Sequence, residues 1–308
     1  MAAPIALDGL YEEQRRFLWS LCYRMTGSAA DAEDVVQDTF VRAIERPPRR
    51  TDEPLRPWLV KVALNLARDL LRRRRRRDYI GPWLPSPIET ELDEPGEPPS
   101  HEPATFEGRY DLLESVSFAF LVALETLTPT ARGVLILRDV FDYSVRETAD
   151  ALDLSEANVK TSHHRARKAM AAYDGARQPP TAALRESTRQ ALVHFLEALE
   201  HHDVDAIETL LAEDVRTTTD GGGEFRSALR TIEGREHVMR FYLAVVGNAA
   251  NGVVRILSLN GVPSAVADIP APGPGIAPRL TLTAELNHEG KIAHIYVVSA
   301  TAKLTALR

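Results

Sequence analysis

The stretch Leu127 to Met170, LTPTARGVLILRDVFDYSVRETADALDLSEANVKTSHHRARKAM, constrains this chain most. Its punctuation dictates three helices. Thr128-Pro129 supplies a cap followed by proline at the first helical position, where a missing N–H costs nothing. Val134, Leu135, Leu137 and Val140 provide the apolar faces of the helix that follows. Ser144-Val-Arg-Glu147 has the form of a capping box, in which serine and glutamate satisfy each other's backbone amides. Val145, Ala149 and Leu152 then fall on one helical face. Asp153-Leu154-Ser155 makes a tight turn, with Asp153 able to take the left-handed conformation. Ser155 caps the last helix, and Glu156 sits favourably in its first turn. Two short helices joined by such a turn form a helix-turn-helix, whose second helix enters the DNA major groove.

The faces of that second helix divide by chemistry. Val159, His163, Ala166 and Met170 recur at helical spacing and are expected to face the core. Lys160, Thr161, His164, Arg165 and Lys168 lie on the other side or its flank. Lysine and arginine there neutralise phosphates, while Ser155, Glu156, Asn158, Lys160 and Thr161 lie where side chains reach the duplex and its base edges. His163, on the apolar side, reads as a core or boundary residue rather than a ligand.

The chain has 308 residues and a formal net charge of -7, so basic charge for a nucleic-acid partner must be local. It is concentrated at Arg68 and in the run Arg72 to Arg77, at the end of an amphipathic pattern. Cys22 is the single cysteine, which excludes a disulfide framework and a cysteine metal site. No apolar stretch reaches membrane-spanning length and no signal peptide opens the chain, so a cytoplasmic location without membrane contact is expected.

Three folded blocks and two linkers follow from the pattern. Residues 8–78 read as helices: Leu10 to Thr26, Ala29 to Ile44 capped by Ser28, and a third opened by Pro57 and Trp58. Residues 79–109 form a linker whose core, 81–105, is rich in proline and acid and is expected to lack regular structure. Residues 110–173 hold the helix-turn-helix. A second linker contains Pro179-Pro180. Residues 183–308 begin with helices (184–200, 204–211) and turn β-like, with strands at 215–220, 253–259, 264–269, 280–286 and 292–300 and a helix around 236–246. That is an α+β pattern.

Taken together, the two helical blocks resemble an extracytoplasmic-function sigma factor of the sigma-70 family. Tyr23 to Ile44, YRMTGSAADAEDVVQDTFVRAI, is similar to the family's signature helix. The resemblance implies that Asp31, Glu33, Asp34, Gln37 and Asp38 dock on the clamp helices of the largest subunit of core RNA polymerase. Pro57 to Arg77, PWLVKVALNLARDLLRRRRRR, resembles the segment that melts and captures the −10 element. Lys61, Asn65, Arg68, Arg72 and Arg73 are its expected strand contacts, the cations attracting phosphate. Residues 127–170 resemble the reader of the −35 element. The implied fold is two all-α sigma domains followed by an α+β domain, and the implied partner is promoter DNA.

The last block resembles a SnoaL-like domain of the nuclear-transport-factor-2 superfamily, a cone-shaped fold that some of these sigma factors carry as a fused extension. Trp83, Leu84 and Pro85 of Gly81-Pro-Trp-Leu-Pro85, with Asp220, Gly221, Gly222 and Gly223, resemble motifs of that subgroup, although Ser86 replaces a common glutamate. The subgroup's Asn-Pro-Asp-Lys-Leu stands here as Ala300-Thr-Ala-Lys303-Leu304. The resemblance implies regulation in cis, with a small ligand or protein as a further partner of the extension. Glycine at 221–223 permits close backbone approach.

Asp220, Arg235, His237 and His294 are the polar candidates for catalysis, but nothing spaces them as an acid–base pair. His201-His202-Asp203 reads as helix caps rather than a metal site. No cofactor, no metal and no enzyme activity are expected. The alternative is a one-component helix-turn-helix regulator with a sensing pocket; a SnoaL-type enzyme with helical appendages is a third reading.

Overall fold

A computed structural model of the chain describes residues 7–47, 54–74, 79–90, 109–178, 181–246 and 252–307. Arg75 to Arg77, the end of the arginine run, lie outside them. The chain divides into two units, 1–77 with 94–177, and 78–93 with 178–308.

The first unit is helical. Helices α1 (Leu7–Thr26), α2 (Ala29–Glu45) and α3 (Leu55–Arg74) pack on one another. Ser28 caps α2 by accepting from the Asp31 amide, as its position requires. The second block contains α4 (Phe118–Leu124), α5 (Pro129–Leu135), α6 (Val145–Leu152), α7 (Glu156–Ala169) and the short α8 (Ala171–Ala176). Thr128 and Ser155 cap their helices, and Ser144 with Glu147 forms the reciprocal capping box. The hydrogen bonds to Ser144 hold the Glu147 carboxyl below the usual carboxylate range. Asp153 takes the left-handed conformation, φ 54° and ψ 51°. Residues Ile136–Val140 continue α5 as a π-helical turn, which the apolar pattern of Val134 to Val140 does not distinguish from an ordinary helix.

Arginines tie the two blocks together. Arg132, almost fully buried, donates to the Met25 carbonyl at 2.9 Å and the Leu124 carbonyl at 2.8 Å. Arg74 donates to the Thr26 carbonyl at 2.7 Å and to Glu125 at 3.1 Å. Arg24 donates to Ser115 at 2.7 Å and to the Leu112 carbonyl at 2.8 Å. Burial lowers the Arg24 pKa to about 10, which still leaves it charged at neutral pH. Phe17 and Phe141 meet edge to face at 5.3 Å.

The second unit is α+β. Helices α9 (Ala182–Glu200) and α10 (Val204–Leu210) lead into β1 (Leu211–Asp220) and β2 (Ile232–Glu233), and α11 (Arg235–Val246) precedes β3 (Val253–Leu259), β4 (Val262–Asp268), β5 (Arg279–Leu286) and β6 (Ile292–Val298). The sheet order is β2-β1-β6-β5-β4-β3, with β1 and β6 parallel and the other pairs antiparallel. Leu211, Val215, Ile292 and Ile295 of these strands lie in a core with Leu192, Phe195 and Val238. His201 and Asp203 serve as C-cap and N-cap, with the Asp203 carboxylate accepting from the Ala206 amide at 3.0 Å.

Within the linker, residues 81–90 form no helix or strand beyond one isolated bridge, yet they are not free: they run extended within the second unit, and residues 91–105 lie outside the described residues. Glu89 pairs with Leu259 of β3, the Thr90 amide donates to the Ser258 carbonyl at 2.9 Å, and Leu84 and Ile88 are buried. Proline-rich composition reads as unstructured because proline lacks a donor, but an extended segment with few donors has few to satisfy.

His294 on β6 carries a prediction for stability. Burial, aided by Arg216, lowers its pKa from 6.5 to about 4. The unfolded chain therefore takes up the proton first, so stability is full above pH 6.5 and falls as pH drops from there to about 4. The loss approaches about 3 kcal/mol, at 1.36 kcal/mol per pKa unit. Chemical denaturation from pH 7 to 4 should show this slope, and His294→Gln should flatten it.

Candidate nucleic-acid interface and linker site

On α7 the residues expected to meet DNA, Ser155, Glu156, Asn158, Lys160, Thr161, His164, Arg165 and Lys168, are all exposed. Val159, Ala166 and Met170 form the buried side. Two of the exposed hydroxyls already have local duties. Ser155 accepts from the Asn158 amide, and Thr161 donates to the Ala157 carbonyl at 3.0 Å. Arg167 is also exposed and adds a cation that the sequence reading passed over. His163 is partnered: its Nε2 lies 2.7 Å from Asp139 Oδ1 on the π-helical turn. That pair ties the recognition helix to the element beneath it. An aspartate and a histidine on otherwise apolar faces were the available signal.

On α3 four of the five expected strand contacts are engaged within the unit. Lys61 pairs with Asp153 in the turn before α7. Arg68 donates to the Leu152 carbonyl at 3.0 Å and to Thr130 at 3.2 Å, with Asn65 at 3.5 Å. Burial, then the nearby Arg72, lowers the Arg68 pKa. Arg72 pairs with Asp69 at 3.0 Å, and Arg73 is exposed. The helix-turn-helix thus engages two of the side chains expected to hold the single strand, Lys61 and Arg68.

On α2 the acidic set splits. Glu33 pairs with Arg15 at 3.0 Å, and Asp31 lies 3.9 Å from Arg74. Asp34, Gln37 and Asp38 are exposed. Beside them Val41 and Ile44 are 48% and 61% exposed, so one face offers acid next to uncovered apolar surface. Exposed β-branched side chains at helical spacing suit a protein partner better than water.

In the second unit Leu84 meets the Asp220–Gly223 turn, Trp83 meets Lys303 instead, and Pro85 is buried. The Asp220 carboxylate is buried, 1% exposed, and accepts from Tyr79 Oη and the Leu84 amide, both at 2.7 Å, from the Gly222 amide at 3.0 Å, and from Lys303 Nζ. Lys303 also donates to the Leu84 carbonyl and lies 4.2 Å from the Trp83 ring centre. A buried carboxylate is tolerable only with such partners. Glycine is needed here for space and for φ. At Gly222, φ 62°, a Cβ would stand 2.9 Å from Ala300 Cβ; at Gly223, φ 76°, it would press on Ile80 of the linker at 3.0 Å. Tyr79, Ile80 and Lys303 were not singled out from the sequence, although Lys303 is the retained basic residue of the altered C-terminal motif.

His237 and Arg235 do not join this site: His237 Nδ1 lies 3.0 Å from the Glu233 carbonyl, and Arg235 lies 3.5 Å from Glu208. His294 lies 3.0 Å from Thr218 and stacks on Tyr296.

Removing Lys303 leaves a buried carboxylate short of a counter-charge. Lys303→Met should cost about 3 kcal/mol in the second unit and speed proteolysis within 79–90. Adding Asp220→Asn should recover part of that loss in thermal unfolding. An unchanged melt in the single variant would count against the ion pair.

Comparison with known proteins bears on both units. Residues 10–77 match sigma-70 region 2, and residues 117–170 match sigma-70, region 4. The chain is 33% identical to the ECF RNA polymerase sigma factor SigJ of Mycobacterium tuberculosis, over 96% of this chain and 92% of that protein. The ECF RNA polymerase sigma factor SigG of the same organism is 33% identical over 66% of this chain and 58% of SigG. The crystal structure of M. tuberculosis SigJ aligns with a TM-score of 0.73 at 28% identity, covering 97% of this chain and 98% of that one.

Proposed function

The chain belongs to the extracytoplasmic-function sigma factors of RNA polymerase, and from that premise we propose how its surfaces divide the work. It directs core polymerase to promoters in the cytoplasm and catalyses no reaction of its own. The face Asp34, Gln37, Asp38, Val41 and Ile44 docks on the clamp helices of the largest subunit. Lys61, Asn65, Arg68, Arg72 and Arg73 hold the −10 strand. The exposed face of α7 reads the −35 element, with Lys160, Arg165 and Lys168 on phosphate and Glu156 and Asn158 near base edges. The α+β extension acts in cis through its hold on residues 79–90.

The continuous exposed polar face of α7, set behind a capped left-handed turn, is the observation that carries this reading. A one-component regulator would have no use for the acidic and apolar face of α2. Replacing Lys160 and Arg165 together by alanine should lower promoter-directed run-off transcription with core polymerase. The slope of log affinity against log salt should become shallower by about 2, at 0.9 per phosphate contact. Undiminished transcription would remove α7 from the reading.

The first unit is closed for this task. The −35 and −10 elements are about 25 base pairs apart, roughly 85 Å of duplex at 3.4 Å per pair, whereas α3 and α6 are in direct contact. The closed unit is the polymerase-free form, and docking on polymerase draws the two readers apart. Freeing Lys61 should ease that step. Asp153→Asn removes the charge while tolerating the left-handed turn, and should tighten binding of a −10 single-stranded oligonucleotide several-fold in fluorescence anisotropy. Weaker or equal binding would place the strand elsewhere.

A further inference from the structure

The second unit holds a cavity of about 990 Å³ between α9, α11 and the sheet. Well-packed interiors leave few voids larger than a water molecule, and this volume stands at the upper end of the range for small-molecule sites. Its walls are aliphatic and aromatic, with Leu196, Phe241, Ile256, Ala267, Leu282 and Val297 among them. The polar groups are few and unevenly placed. Tyr242 is committed to Thr217 at 2.7 Å, and Thr219 accepts from the Ala228 amide at 2.8 Å. Arg226 and Ser227 stand together on the loop after the glycine turn, and no side-chain hydrogen bond or ion pair holds either among the described residues. Glu197 and Glu200, on α9, also line the cavity, and their charge disfavours an anion beside them.

The same backbone forms the cavity wall and the linker site. Thr219 lines the cavity, and its neighbour on β1 is Asp220, which grips the linker. Across the sheet, Ser299 lines the cavity and donates its amide to the Asp220 carbonyl at 2.9 Å. Residues 221–228 run from that carboxylate directly to Arg226, Ser227 and Ala228.

We propose that this cavity binds a small molecule with an apolar body and one hydrogen-bond-accepting or anionic head, seated at Arg226 and Ser227. Occupancy reaches the linker through residues 219–228 and alters the hold of Asp220 on residues 79–84. The second statement rests on the proposed role of that hold in regulation; the first does not.

Binding is tested on the full chain without polymerase or DNA, so its failure is distinct from a failure in transcription. The probe is 1-anilinonaphthalene-8-sulfonate, which joins apolar rings to an anion, with decanoate as competitor. The expected result is saturable binding of one probe per chain at micromolar concentration, displaced by decanoate. Arg226→Ala, an exposed position, and Ala267→Trp, which fills the cavity, should each weaken it about tenfold, or 1.4 kcal/mol. Melting curves show whether each variant is folded, and Arg226→Ala alone decides the matter if Ala267→Trp is not. Unsaturable binding by the unmodified chain, or equal affinity in Arg226→Ala, overturns the site. Hydrogen exchange of a peptide spanning 79–90 reads the coupling. A severalfold change at saturating probe supports it, and exchange unaltered by bound probe overturns it.

Discussion

Arginine on the carbonyl end of a helix is the interaction on which the first unit depends. The last four carbonyls of any helix lack an intrahelical partner and carry the negative end of its dipole. Here Arg132 and Arg74 both reach the end of α1, Arg132 also takes the last carbonyl of α4, and Arg68 takes the last carbonyl of α6. Three of these four bonds come from elements remote in sequence, 48 to 107 residues away, and the Arg132–Leu124 bond joins neighbouring helices. The result fixes helix ends to one another without consuming their apolar faces, which remain free to build the cores around Leu18, Leu64 and Leu135. Such bonds are strong where water is excluded and exchange readily for phosphate or water where it is not. A unit built this way is firm when closed and has a ready means of opening.

The second unit solves a related problem in the opposite sense. A carboxylate, rather than cations, gathers the donors. Asp220 collects an ammonium, a phenol and two backbone amides, and two of those four come from residues 79–84. The extended segment contributes Leu84 and Ile88 to the buried surface. Further along, Asn260 Oδ1 accepts from the Ile88 amide at 3.0 Å, while the Asn260 amide donates to the Ile88 carbonyl at 2.9 Å. A piece of chain that joins the two helical blocks in sequence is therefore a structural part of the α+β unit.

What was legible in the sequence was local. Caps act over three residues, so Ser28, Thr128, Ser144 and Ser155 could be placed from spacing alone, and Asp153 from its turn chemistry. The strand-like runs within 253–298 were equally visible, being short apolar stretches bounded by turn residues. The resemblance to sigma factors also rested on contiguous motifs. What was hidden was long in range. Lys61 and Asp153 are 92 residues apart, and Asp220 and Lys303 are 83 apart; nothing in the spacing of charges announces such pairs. The linker misled for a further reason. Its prolines and acids are the composition of a disordered spacer, and only the partners supplied by β1, β3 and the C-terminus turn residues 79–90 into an ordered element. His163 is the boundary residue its place on the apolar side implies, and its partner Asp139, 24 residues away, was the hidden part.

The dual employment of Lys61 and Arg68 limits how this protein can be tuned. The same two cations close the first unit and, in the proposed mechanism, hold the melted strand. Natural variation at either position is pleiotropic: it trades quiescence against promoter affinity and cannot adjust one alone. Divergence in regulatory strength is thereby channelled to the acceptors. Asp153, Thr130 and the backbone at Leu152 bear on closure without being strand contacts, so paralogues that differ in how readily they open should differ there, while the cations stay.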